Sequence, residues 1–313
     1  MRKNLNKFLW VMFGGAIWDA LWAPIEFKDP EEFEPIKDYR DSDDWEILAW
    51  ERTDDTSMTL CLAQSLVNKS WFDIVDQLEL YLKWFEEGYM SLKDYPLWIW
   101  NQTVDQINFY KMYKDWKLVR KHWEDDFSWL KMDWNWSLMR IGPIPLFYFW
   151  NPELAIYYWW ESSKSTHHTD ICIDSCKYYT GLIIWAINWI DKKKLLEPYY
   201  SPINNYREKN KITNNLIKIV EWSYKKKDKN SLTADWYVAN SLEVALWWFY
   251  NFNSFEEGLI NVINLWYDSD TNWCIYWFLA WAYYWYNSIP NKRKDNIVKK
   301  ELIKKITMDL YNL

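Results

Sequence analysis

Arg52-Thr53-Asp54-Asp55-Thr56 runs straight into Ser57-Met58-Thr59-Leu60-Cys61-Leu62-Ala63. Met58, Cys61, Leu62, Ser65 and Leu66 then share one face at helical spacing, which predicts a helix with an acidic start. A second start of this kind lies far along the chain. There Tyr267-Asp268-Ser269-Asp270-Thr271 leads into the apolar Cys274-Ile275-Tyr276-Trp277-Phe278-Leu279-Ala280. Helix capping explains one Asp or Thr at a helix start. It does not explain adjacent Asp54-Asp55 or the Asp268-x-Asp270 pair, whose charges need a counter-ion. If the fold unites these carboxylates and threonine hydroxyls, hard divalent cations such as Mg²⁺ relieve the repulsion through oxygen ligands. Ions held that way orient and polarise a substrate for hydrolysis, so the expectation is a metal-dependent hydrolase.

The rest of the chain repeats the helical period. Ile173, Cys176, Tyr179, Ile183 and Ile184 form one face, and Leu242, Ala245, Leu246 and Phe249 another. Pro24, Pro30, Pro35, Pro96, Pro143, Pro145, Pro152, Pro198 and Pro202 fall at the edges of these runs, as loops between helices require. Few runs alternate at period two, and no internal repeat appears. The expected fold is all-α, a single compact multi-helix domain over residues 1–313, with 191–235 peripheral.

A net charge of −7 argues against binding a nucleic-acid backbone, which needs a basic field. Met1-Arg2-Lys3 before the apolar Phe8–Trp18 imitates a signal peptide, yet Asp19 and Glu26 follow at once, so a retained core helix is expected. Cys274–Tyr286, the longest apolar run, is too short to span a bilayer, and no membrane partner is expected. Cys61, Cys172, Cys176 and Cys274 contain no C-x-x-C pair, which favours buried free thiols in a reducing cytoplasm. Nothing in the sequence fixes an oligomeric state.

Composition carries one further anomaly. The chain holds 28 Trp and 6 Gly, where average usage gives roughly 22 Gly at this length. Many Trp stand where turn chemistry asks for Gly, as in Trp18-Asp19-Ala20-Leu21-Trp22, Asp133-Trp134-Asn135-Trp136-Ser137 and Trp266-Tyr267-Asp268. Trp273, Trp277, Trp281 and Trp285 recur at four-residue spacing, where small residues let helices pack closely. An indole performs neither job of glycine, positive φ or close backbone approach. The expectation is that most of these Trp are Gly in the living protein, through a codon such as UGA read as Gly.

With Gly restored, five segments in one order resemble the ADP-ribosylglycohydrolase family, across residues 14–286. Gly15-Ala16-Ile17-Trp18-Asp19-Ala20-Leu21-Trp22-Ala23-Pro24-Ile25-Glu26-Phe27 resembles the family's opening G-D-A-L-G-x-P-x-E-F. Thr53-Asp54-Asp55-Thr56-Ser57-Met58 resembles its T-D-D-T-x-M, and Trp134-Asn135-Trp136-Ser137-Leu138-Met139-Arg140 its G-N-G-S-L-M-R loop. Ser165-Thr166-His167 matches its S-x-T-H segment. Ser241-Leu242-Glu243-Val244-Ala245-Leu246-Trp247, Ser254-Phe255-Glu256-Glu257-Gly258 and Trp266–Thr271 match its closing block. Trp84 and Trp247 fall where the family also carries Trp. Trp18, Trp22, Trp134, Trp136, Trp266 and Trp273 fall where it carries Gly, as Trp100 is expected to.

The resemblance implies a magnesium-dependent ADP-ribosylglycohydrolase acting on an ADP-ribosylated protein side chain or small molecule. It implies that Thr53, Asp54, Asp55, Asp268, Asp270 and Thr271 hold two Mg²⁺ ions, with Asp270 bridging. Glu26 and Asp55 are the implied catalytic carboxylates, and Asp19 a supporting residue or cap. Asn135, Trp136, Ser137, Arg140, His167 and Tyr267 are the implied substrate contacts. For Arg140 an internal pair competes with a phosphate contact, for His167 a local helix-start bond, and for Tyr267 a place in the core. His122 and His168 have no motif support. Two alternatives stay open: a non-catalytic ADP-ribose-binding or structural member, and an all-α prenyl-diphosphate enzyme. The second normally shows D-D-x-x-D, and Met58 stands where its last Asp would be.

Overall fold

The computed structural model describes residues 3–25, 33–34, 38–43, 46–97, 99, 101–115, 133–140, 142–163, 165, 169–199, 212–253, 269–284 and 291–313. For Trp136, Ser269, Asp270 and Thr271 it describes the backbone alone. In chain order the helices are α1 (Leu5–Trp22), α2 (Asp54–Lys69), α3 (Ile74–Glu87), α4 (Asn101–Asp115) and the short α5 (Trp136–Met139). There follow α6 (Pro143–Phe147), α7 (Pro152–Ser163), α8 (Asp170–Ile187), α9 (Lys192–Leu195) and α10 (Asn214–Val220). The last four are α11 (Val238–Asn251), α12 (Ser269–Tyr283), α13 (Asn291–Asn296) and α14 (Lys300–Asn312). Among the described residues the sole β-type pairing is one antiparallel bridge, Trp134 to Tyr237. The fold is all-α, as the periodicity requires.

Helix α1 lies at the centre. It is apolar on every side, the pattern of a helix buried all round, and it packs against α2, α12 and α14. Its span Leu5–Ile25 has the length and apolar character to cross a membrane, but 89% of it is buried inside the protein. In this structure it is a core helix.

The outer helices have one apolar face. Helix α14 buries Ile303, Ile306 and Leu310, and α3 buries Leu78, Tyr81 and Leu82 beneath an exposed charged face. In α2 the whole expected face of Met58, Cys61, Leu62, Ser65 and Leu66 is buried. In α8 the expected face holds from Cys176 onward, while Ile173 is only half-buried. Gly142, ahead of α6, permits a close approach, since a Cβ there would lie 2.7 Å from both Val11 of α1 and Phe278 of α12. All four cysteines are free and buried.

Candidate active site

The acidic start of α2 is built by a residue of α1. Thr53 is the N-cap in extended backbone, yet its side chain makes no capping bond to its own helix. Asp19 does the capping. Its Oδ1 accepts from the Thr53 N–H at 2.7 Å and from Thr53 Oγ1 at 2.8 Å. Its Oδ2 accepts from the Thr56 N–H at 3.0 Å and from Thr56 Oγ1 at 2.5 Å. Two of the orphan N–H groups of a helix start are thereby satisfied. Burial raises the Asp19 carboxyl, and the four hydrogen bonds pull against that rise. Because the Thr53 hydroxyl donates its proton to Asp19, its lone pairs are left for another partner.

Asp54 and Asp55 occupy the first turn and are relieved of any capping duty. Asp54 is buried and Asp55 half-buried, with oxygens beside the positive end of the helix dipole, where carboxylates are favoured. Arg52, directly before them, is fully buried and donates from Nη1 to Met90 O at 3.1 Å and Ser57 Oγ at 3.5 Å. Burial lowers it to about 10, with Asp19 opposing the shift.

Helix α12 is tied to the other end of α1. Lys7, near that end, donates from Nζ to Ala186 O at 3.1 Å, Ile187 O at 2.6 Å and Ala282 O at 3.1 Å. Those carbonyls close α8 and α12, so both helices finish beside Lys7. Helix α12 then runs back along α1, with Trp277 against Trp10 and Trp18. Its first residues, Ser269 and Asp270, consequently begin at the Asp19 end of α1. The described backbone of α12 thus runs antiparallel to α1.

The segment 133–140 lies against the first turns of α8 and α12. Cys172 Sγ donates to Trp134 O at 3.3 Å, Ser137 Oγ and Cys176 Sγ are 3.3 Å apart, and Cys274 Sγ donates to Met139 O at 3.0 Å. Burial raises the Cys172 and Cys176 thiols, which suits inert donors. Asn135, Ser137 and Arg140 are fully buried, as are Leu138 and Met139 between them, so this part of the segment serves the core. Arg140 Nη2 reaches Ser165 Oγ at 2.9 Å and Ser162 O at 3.3 Å, with the guanidinium over Tyr81. These bonds are internal to the fold, though made with serine rather than with a carboxylate.

A polar strap joins this segment to α12. Asn135 Nδ2 donates to Ser241 Oγ at 2.8 Å, and Ser241 Oγ donates to Asp235 O at 3.1 Å. Asn272 Nδ2 donates to that same carbonyl at 3.3 Å. The backbone adds Asn135 N–H to Trp236 O at 3.0 Å and Val238 N–H to Asp133 O at 2.8 Å. Sequence reading assigned no role to Asp235, Ser241 or Asn272. The available signals were Asn272 directly after Asp270-Thr271 and Ser241 opening the α11 motif.

Glu26, His122, His167, His168, Trp266, Tyr267 and Asp268 lie outside the described residues, as do the side chains of Trp136, Asp270, Thr271 and Trp273. The 3₁₀ turn Ala23–Ile25 ends immediately before Glu26. Among the described residues no three His, Cys, Asp or Glu side chains are gathered. What is described fits a hard cation, because Thr53, Asp54 and Asp55 supply oxygen donors and no soft ligand stands beside them in this turn.

Known proteins resemble the chain along its whole length. The chain is 26% identical to the ADP-ribosylarginine hydrolase Tri1 of Pseudomonas putida (strain GB-1), over 99% of this chain and 79% of that protein. It is 25% identical to the ADP-ribosylarginine hydrolase Tri1 of Serratia proteamaculans (strain 568), over 99% and 80%. A solved ADP-ribosylglycohydrolase-related protein complex superposes with a TM-score of 0.79 at 25% identity, covering 100% of this chain and 99% of the other. The ADP-ribosylglycohydrolase family pattern matches residues 1–313, which leaves no ground for the prenyl-diphosphate alternative. The chain belongs to the ADP-ribosylglycohydrolase family, as a hydrolase of ADP-ribose linkages.

Proposed function

We propose that the chain releases ADP-ribose from arginine side chains of modified proteins, with two Mg²⁺ ions as cofactor. The acceptor follows the two bacterial relatives, both ADP-ribosylarginine hydrolases by name. The observation that supports the metal is the acidic first turn of α2, whose N–H groups are capped by Asp19 and not by Thr53, Asp54 or Asp55. Thr53, Asp54 and Asp55 would hold the ions from one side, and Asp268, Asp270 and Thr271 from the other. Bound there, the ions would polarise the ribose hydroxyls and the attacking water.

The protein's own groups do the remainder. Asp19 fixes the Thr53 hydroxyl so that its lone pairs face the ligand side of the turn. Segment 133–140, held by Cys172, Cys176 and Cys274, is the loop we assign to the pyrophosphate on the family resemblance. In the reaction the C1″–N bond breaks, a water oxygen bonds to C1″, and the departing guanidine takes up a proton. Glu26 and Asp55 are the carboxylates we assign to moving those protons. The centre forming at C1″ is oxocarbenium-like, as in glycoside hydrolysis generally. We also propose a cytoplasmic location, which four buried free thiols favour.

The test is release of ADP-ribose from arginine- and serine-modified proteins, with Mg²⁺ and with EDTA. Release from arginine that EDTA abolishes is the expected result. Undiminished release in EDTA removes the metal from the proposal, and release from serine alone removes the arginine acceptor.

A further inference from the structure

Of the seven non-glycine residues described on left-handed backbone, Ser70, Met90, Tyr199 and Lys299 are of four different types, and the other three are all tryptophan: Trp50 at φ 74°, Trp189 at φ 68° and Trp222 at φ 75°. A bulky L-residue there is an outlier, because its Cβ crowds the following carbonyl. Trp189 follows α8 directly after the C-cap Asn188. Its N–H donates to Ala186 O at 3.2 Å, and the Ile190 N–H donates to Trp185 O at 3.2 Å. That bond pair is the Schellman motif, whose left-handed position is usually glycine. Trp222 repeats it after α10, its N–H donating to Ile219 O at 3.0 Å. Gly88 closes α3 in the same conformation at φ 65°, with its own N–H on Trp84 O at 3.0 Å and the Tyr89 N–H on Lys83 O at 3.4 Å. The bonds differ in detail, but the left-handed residue that closes a helix is glycine once and tryptophan twice.

The three rings do have partners. Trp50 stacks on Tyr39, Trp189 lies under Lys7, and Trp222 lies under Lys225 with its Nε1 donating to Leu196 O. None of those contacts requires left-handed backbone, and all three residues adopt it. Hydrogen bonding of the indole does not sort the tryptophans by itself. Buried Trp22, Trp84 and Trp248 all lack a partner for Nε1 among the described residues, although Trp84 lies within the last turn of α3, ahead of the left-handed Gly88. The backbone is the sharper criterion. A second geometry agrees with it where α1 crosses α12: Trp18 and Trp277 lie face to face, centroids 5.3 Å apart and 3° from parallel, both buried.

We propose that Trp50, Trp189 and Trp222 are glycine in the protein the cell makes, and that the glycine-like tryptophans of the motifs, Trp18 and Trp277 among them, are too. One codon read as glycine by the host, a UGA, has been rendered here as tryptophan. The composition of 28 Trp and 6 Gly is its trace along the whole chain. The inference rests on backbone angles and composition, and it stands whatever the substrate proves to be. Trp247 belongs to the other class: it lies inside α11 and its Nε1 donates to Lys227 O at 2.9 Å.

The codons of the gene and peptide masses of the protein from its native cells test this directly. Expected are UGA at 50, 189 and 222, UGG at 84 and 247, and native peptides with glycine at the first three positions. UGG at 50, 189 and 222 overturns the proposal, and so does tryptophan at those sites in native peptides. The recombinant chain gives a second reading. Trp189→Gly and Trp222→Gly should each raise the folded-to-unfolded ratio roughly tenfold over the matching alanine variants. Equal stability of the glycine and alanine variants counts against it.

Discussion

Helix α1 carries a buried charge near each end and uses the two in opposite ways. Lys7 collects the carbonyl ends of α8 and α12, whereas Asp19 collects the N–H end of α2. Helix dipoles are negative where Lys7 sits and positive where Asp19 sits. The starts of α8 and α12 lean on segment 133–140 through Cys172, Cys176 and Cys274. The Lys7 pole is architecture, all of its donors being used inside the fold. The Asp19 pole is where acidic side chains and an anionic substrate can be held by a protein of net charge −7.

That contrast breaks if both charges prove equally structural. Lys7→Met should cost about 3 kcal/mol or more in stability, because it orphans three buried carbonyls. Metal affinity of the folded fraction should be unchanged. Urea titration and calorimetry with Mn²⁺ measure the two, and weakened Mn²⁺ binding would merge the poles. Asp19→Asn should do the reverse. Two of its four donors lose their acceptor, Thr53 loses its orientation, and metal affinity should fall about 10- to 100-fold with a smaller loss of stability than at Lys7.

The Lys7 pole has a pH signature of its own. Burial lowers Lys7 to about 7, while an unfolded lysine stays near its ordinary value of about 10.4. Between those values the unfolded chain holds a proton that the folded chain has released, so stability rises with pH. Relative to Lys7→Met, which cancels the buried thiols and tyrosines, the protein should gain about 1.4 kcal/mol per pH unit above pH 7. A flat difference would mean that the three carbonyls keep the ammonium charged. The smallest effect concerns Trp189, which covers Lys7 at 4.1 Å. Trp189→Gly and Trp189→Ala both remove that contact, and glycine should exceed alanine by about 1 kcal/mol through the left-handed backbone alone.

The Asp19 pole was far more legible in the sequence than its opposite. Thr53-Asp54-Asp55-Thr56 announces itself because capping, charge and helical period all act within a few residues. Lys7 gives no such signal: its partners lie 179, 180 and 275 residues away, and a lysine inside an apolar run reads as a surface residue. The strap was hidden for the same reason. Asp235 ends the stretch that looked least informative, and its carbonyl matters only once α11 and α12 are packed. Asn135 and Arg140 were legible as members of a motif, but their inward direction was not, since a motif fixes order along the chain and leaves burial to the tertiary fold.

The pairing of α1 with α14 sets a timetable for folding. Lys3 Nζ donates to Tyr311 O across 308 residues, and Phe8 packs edge-on against Tyr311. The most apolar helix therefore leaves the ribosome among the first and waits for one of its covers until residues 300–312 emerge. Contacts of such separation form slowly, and the exposed intermediate is prone to aggregate. During synthesis α1 is a hydrophobic segment without its full cover, so growing chains should be clients of chaperones that hold nascent apolar helices. Chains arrested before residue 300 should precipitate, although they already contain the Thr53-Asp54-Asp55 and Asp268-Ser269-Asp270 motifs.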